Sequence, residues 1–166
     1  VLGGLPEVLS RFGVRWEPVL EAEGLTLADI QDPERSVSFS AMDRISGECL
    51  RLTRCPHVGL LLAQRVNLQS FGIAGRLARN APSVGDALRE LGSYFALHDT
   101  GGLIGTDLHD GKLTLSYGVY VTGLRHLDQI YDFCVVAIGN VMRQLCGAGW
   151  KAEAVLLPRR RPADVR

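Results

Sequence analysis

The chain has 166 residues, 46% of them hydrophobic and 22% charged, with a formal net charge of zero. One domain of this length buries about 70% of the surface its unfolded chain exposes, so the composition points to a packed globule and excludes a largely disordered chain. Charge neutrality excludes a free-standing nucleic-acid binder, which needs clustered Lys and Arg to displace counterions.

The first third reads as a string of short helices. Leu5, Val8, Leu9 and Phe12 recur at helical spacing, and Gly13 supplies a stop. Pro18 suits the first turn of a second helix that ends at Gly24. Thr26 caps a third, which breaks at Asp32-Pro33. A longer helix is predicted after Ser40, with Asp43 as a weak capping-box partner and Met42, Ile45, Cys49 and Leu52 facing inward, up to Pro56. Residues 58–62 (Val-Gly-Leu-Leu-Leu) are wholly apolar and therefore buried in any conformation. The glycine-containing run 71–75 leads into a helix that ends near Asn80.

Pro82-Ser83 opens the strongest mid-chain helix. Ser83 caps it, Asp86 complements its dipole, and Val84, Leu88, Leu91 and Phe95 form its core stripe before Gly101-Gly102. Residues 103–108 and 112–121 then read as two strands around an Asp110-Gly111 turn. In the second strand Leu113, Leu115, Tyr117, Val119 and Val121 share one face, while Tyr120 lies on the other. A long helix runs from about Arg125 to Cys146 with a broad apolar stripe. Trp150 then re-enters the core, and Lys151–Leu157 is predicted as a last strand ending at Pro158. The fold class is α+β: several helices packed around a small, mainly antiparallel sheet, with helix, hairpin, long helix and strand in the C-terminal half.

No reaction is spelled out by the side chains. The histidines His57, His98, His109 and His126 form no helical metal pair, and Cys49, Cys55, Cys134 and Cys146 show no CxxC spacing. Neither a nucleophile elbow nor a phosphate loop is present. Asp128 and Asp132 are expected on the exposed polar face of the long helix. The expectation is a protein that is not an enzyme and carries no metal or cofactor. No apolar run approaches the ~20 residues of a membrane span, and a reducing cytoplasm is the expected setting.

Small-molecule pockets combine aromatic walls with a few orienting polar groups. Tyr94 and His98 lie one turn apart at the end of the mid-chain helix. Tyr117 and Tyr120 occupy the second strand, and Arg125 and Gln129 begin the long helix. These six can converge on one cleft between hairpin and helices. Equally, the two tyrosines Tyr94 and Tyr117 can be core residues with satisfied hydroxyls, and Arg125 and Gln129 can be solvated.

Eight short motifs follow one another in a telling order: residues 58–60, 71–75, 82–88 and 94–98, then Asp110-Gly111, Gln129, Gly149-Trp150 and 155–158. Together they resemble the N-terminal, arabinose-binding-like regulatory domain of AraC-type bacterial transcription regulators. The resemblance implies a sensor of a small-molecule effector that forms a homodimer. It also implies that promoter DNA is contacted only through a C-terminal helix-turn-helix domain outside residues 1–166. The run Arg159-Arg160-Arg161 falls where such a protein continues, and the chain reads as an excised piece of something longer. The alternative is a dimerisation or docking module with no small ligand.

Overall fold

Local cap and turn chemistry sets the element boundaries. The computed structural model describes residues 2–159. Helix α1 (Leu5–Arg11) carries Pro6 in its first turn and gives way before Gly13, where φ is +68°. Leu5, Val8 and Leu9 are buried as expected, whereas Phe12 lies past the helix end and is exposed. Helices α2 (Glu17–Glu21) and α3 (Leu27–Gln31) follow, the latter held by a reciprocal Thr26–Asp29 capping box. Helix α4 (Phe39–Thr53) starts two residues earlier than expected, because Ser38 is its cap: Ser38 Oγ accepts from the Ala41 N–H at 3.2 Å. Asp43 is thereby freed for a different task, described below.

Helix α5 (Val58–Leu62) and a 3-10 turn (Leu68–Phe71) lead to α6 (Gly72–Arg79) and α7 (Val84–His98), which is capped by Ser83. Strands β1 (Gly102–His109) and β2 (Lys112–Val119) pair antiparallel, with Ile104 opposite Tyr117 and Leu108 opposite Leu113. Asp110 and Gly111 both have positive φ, 49° and 74°, as the primed hairpin turn requires. Helix α8 (Leu127–Cys146) closes the set at Gly147. Among the described residues the fold is thus eight α-helices and one two-stranded antiparallel sheet, an α+β arrangement.

Residues 151–157 do not form the expected strand. A strand exists only through ladder bonds to a neighbour, and this segment crosses the surface held by side chains instead. Lys112 Nζ meets Glu153 Oε1 at 2.7 Å, and Arg159 Nη2 meets Asp132 Oδ1 at 2.6 Å. Its apolar residues consequently stay in water, Leu156 at 92% exposure. Trp150 is half-buried.

Two apolar cores form, and α8 touches both. The larger unites α1–α5 with Phe133 and Ala137 of α8. The smaller joins Leu68, α6 and α7 to Val141 of α8. Polar side chains of α8 set its position. Gln129 is buried; its Oε1 accepts from Gly59 N–H at 3.0 Å, and its Nε2 donates to Pro56 O at 2.9 Å. Three turns onward, Asn140 Nδ2 donates to the carbonyls of Ala63, Gln64 and Val66, and a turn later Gln144 Oε1 accepts from Leu68 N–H. From the other side, Asp43 Oδ1 accepts from the backbone N–H groups of Arg125 (2.9 Å) and His126 (2.7 Å). The carboxylate of α4 therefore caps the N-terminus of α8, where the helix dipole favours an anion.

The α5–α8 approach requires glycine at position 59: a Cβ there would stand 2.2 Å from Gln129 O. Substitution Gly59→Ala must push the helices apart and stretch the Gln129 bonds. Overpacking of this kind costs about 1–3 kcal/mol. Thermal unfolding followed by circular dichroism should show Tm lower by roughly 3–10 °C; an unchanged Tm would contradict the clamp.

Candidate functional site

The inward stripes of α7, α8 and the hairpin meet only in part, at Leu91–Val141 and around Tyr117. Between them lies a cavity of about 330 Å³. Helix α7 contributes Leu88, Leu91 and Phe95; α8 contributes Ile130, Phe133, Cys134, Ala137, Ile138, Val141 and Met142. The hairpin adds Ile104, Thr106, Leu115, Ser116 and Tyr117, while Phe39 and Met42 of α4, the loop 35–38, Val66, Ser70, Phe71 and the Asp99-Thr100 turn contribute the rest. Period-two alternation in β2 turns Leu115 and Tyr117 inward, and both are half-buried.

A polar corner is built where α7 ends. Asp99 Oδ1 accepts from the backbone N–H groups of Gly101 (2.9 Å) and Gly102 (2.7 Å), and Asp99 Oδ2 accepts from Tyr117 OH at 2.7 Å. The two glycines are needed for the approach: a Cβ on Gly101 would meet the Phe39 ring at 2.4 Å, and one on Gly102 the Tyr117 hydroxyl at 2.5 Å. Tyr117 also stacks edge-on between Phe95 and Tyr131, with centroid distances of 6.0 and 6.4 Å. Burial first, and then the neighbouring Cys134 and Asp99, push the Tyr117 phenol well above its ordinary range. Burial likewise pushes the Cys134 thiol up to about 12. At neutral pH both stay protonated, so the corner offers hydrogen bonds rather than a nucleophile or a general base.

Of the six residues singled out from sequence, Tyr117 lies on the cavity wall. Tyr120 is exposed, but its hydroxyl donates to the carbonyl of Thr100, itself a wall residue. Tyr94 sits 40% exposed on the outer side of α7. Arg125 is exposed and reaches Asp43 through its backbone N–H, and Gln129 is committed to the α5 clamp. His98 ends α7, and its side chain lies outside the described residues.

Sequence reading passed over Asp99 and Phe39. An Asp two residues before Gly-Gly, in the run Asp99-Thr100-Gly101-Gly102, is a turn-forming signature that marks Asp99. Phe39 carries no comparable local signal.

Asp132 corrects a second expectation: it is wholly buried, not exposed on a polar face. Lying two residues before Cys134, it points about 200° away around the helix, off the cavity. Its Oδ1 is paired with Arg159, while Oδ2 has no hydrogen-bond partner. Burial raises its pKa, against the opposing pull of Arg159. Among the described residues no cluster of three or more His, Cys, Asp or Glu side chains is placed to hold a metal ion. No helix there is long and apolar enough to cross a membrane.

The model of the family described as the arabinose-binding domain of AraC transcription regulators, N-terminal, matches residues 13–166. No curated protein matches the chain.

The folded state raises the Asp132 pKa, so between the ordinary carboxylate value and the raised one it binds more protons than the unfolded chain. Stability from this group therefore falls as pH rises above about 4. The Tm difference between wild type and Asp132→Asn should shift steadily in favour of the variant as pH increases. Arg159→Gln leaves the buried carboxylate uncompensated and should cost about 1–3 kcal/mol at neutral pH, less than a wholly buried pair because Arg159 keeps some contact with water. Parallel pH profiles for wild type and Asp132→Asn would contradict the assignment.

Proposed function

The chain belongs to the family of arabinose-binding N-terminal domains of AraC transcription regulators, and on that premise we propose that the cavity between hairpin, α7 and α8 is its effector pocket. As a member of that family it is a ligand-sensing regulatory domain. The observation that carries the pocket assignment is a preformed space of about 330 Å³ with one polar corner, within the range of small-molecule sites.

An effector held there touches elements of both cores at once. It acts only through unequal affinity for two domain arrangements. Helix α8 forms one wall of the pocket and anchors Arg159 through Asp132. A shift of α8 would thus be felt by the segment leading out of the domain, and through it by a helix-turn-helix DNA-binding domain. This domain's own neutrality fits a role that leaves promoter contact to that other domain.

Homodimerisation is assigned to the hairpin. Leu108 and Leu113 face each other across the ladder and stay 72% and 43% exposed, carrying the inner apolar face past the helices. A two-stranded ribbon with unpaired edges is marginal by itself and gains from pairing. The same patch favours the second reading, an interaction module that needs no small ligand.

Two variants of the full-length regulator separate these readings. Ala137→Phe fills the pocket and should make reporter output insensitive to growth conditions that change it in wild type. In addition, the variant should fail to retain a compound that wild type carries through purification, as read by mass spectrometry after denaturation. Leu108→Asp should convert dimer to monomer in sedimentation velocity. If Leu108→Asp abolishes regulation while Ala137→Phe leaves it intact, the effector reading gives way to the interaction module.

A further inference from the structure

The chemistry of the wall narrows what the pocket takes. Its body is hydrocarbon: Leu88, Leu91, Ile104, Leu115, Phe133 and Ile138 offer no hydrogen bond. Six serine and threonine residues also line it, Ser36, Ser38, Ser70, Thr100, Thr106 and Ser116, all exposed or half-exposed. The half-buried Asp99–Tyr117 pair is the polar group fixed between α7 and the hairpin. Asp99 already accepts three hydrogen bonds, but a carboxylate has about four lone-pair sites, so Oδ2 keeps room for one more donor. The Tyr117 oxygen, having donated its proton to Asp99, faces the Cys134 thiol. The open position on Asp99 asks for a donor.

Among the described residues the lining offers no free positive charge to match an acid. Arg35, the cation on the lining, is exposed at the mouth and faces Asp29 at 3.3 Å. A ligand carboxylate pushed inward would meet the Asp99 carboxylate, a like charge. A sugar fares no better: a hydroxyl on nearly every carbon would leave most of its polar groups against leucine and phenylalanine with no partner. As for size, the cavity equals about eleven volumes of about 30 Å³, the share of one water molecule in the liquid, and a methylene group occupies a similar space.

Resting on the effector reading above, we propose that the pocket takes an apolar molecule of about ten to twelve non-hydrogen atoms carrying a single donor head, a hydroxyl or an amine, and rejects sugars and carboxylic acids. The head sits at Asp99 Oδ2, beside the Tyr117 hydroxyl, and the hydrocarbon body runs between α7, α8 and the hairpin. Asp99 is the specificity-determining residue.

The test uses the full-length regulator and four probes at equal concentration below their micellar range: decanol, decylamine, decanoate and arabinose. Decanol and decylamine should raise Tm, by roughly 5 °C at a hundredfold excess over Kd, and decanoate and arabinose should not. Asp99→Asn keeps the acceptor for the two glycine N–H groups and removes the charge. It should narrow the ratio of decylamine to decanoate affinity at least tenfold. Ala137→Phe should abolish the shifts, which separates the pocket from surface adsorption. Tighter binding of decanoate or arabinose, or an unchanged ratio in Asp99→Asn, overturns the proposed ligand class while leaving the effector pocket standing. If no probe shifts Tm, the class is again overturned. If reporter output is also unaffected by Ala137→Phe, the effector reading falls with it.

Discussion

The architecture depends on how α8 is held. A helix packed only by its apolar stripe slides and rotates at modest cost, since dispersion contacts are individually small and non-directional. Hydrogen bonds from Gln129, Asn140 and Gln144 to the main chain of residues 56–68 remove that freedom. Each such bond is worth only about 0.5–1.5 kcal/mol net, yet leaving the buried Gln129 amide unpaired costs more. The three amides are spread over four turns and fix height, rotation and tilt together. Asp43 completes the placement by capping the first turn from α4.

That rigidity is what allows an apolar cavity to persist. Close-packed interiors normally collapse onto empty space, and Leu88, Leu91, Ile104 and Leu115 have no intrinsic reason to stand away from Phe133 and Ile138. Here α8 is tied to α5 on one side, while α7 and the hairpin are tied to each other at the Asp99 corner. The two assemblies meet around the void rather than through it. The void carries forgone packing, which an apolar occupant would recover. A domain arranged this way is poised to be more stable when filled, which is the thermodynamic condition for a sensor.

Much of the local structure was legible in the chain. Ser83, Thr26, Asp110-Gly111 and the period-two face of β2 each act within a few residues, so their consequences follow from spacing alone. The misses share a different cause. Ser38 and Ser40 are both competent caps, and the choice between them followed where Phe39 and Asp43 were needed by tertiary partners. Residues 154–157 carry good strand propensity but found no edge to pair with, and propensity without a ladder makes no strand. Asp132 reads as solvated because its heptad position is polar, and only the folding of Arg159 back onto α8 made burial tolerable.

The sequence by itself determined the class of fold, the helix caps, the hairpin turn, the inward orientation of Tyr117, and a motif order specific enough to place the chain in its family. Tertiary structure alone decided that Gln129 clamps α8 to the chain at Pro56 and Gly59, that Asp99 forms the polar corner of the cavity, and that a cavity exists at all. The reason is physical. Caps, turns and stripes are set by interactions over one helical turn or one strand pair. A cavity is the space that elements leave between them, bounded here by residues as far apart as Phe39 and Met142, and it has no local signature to read.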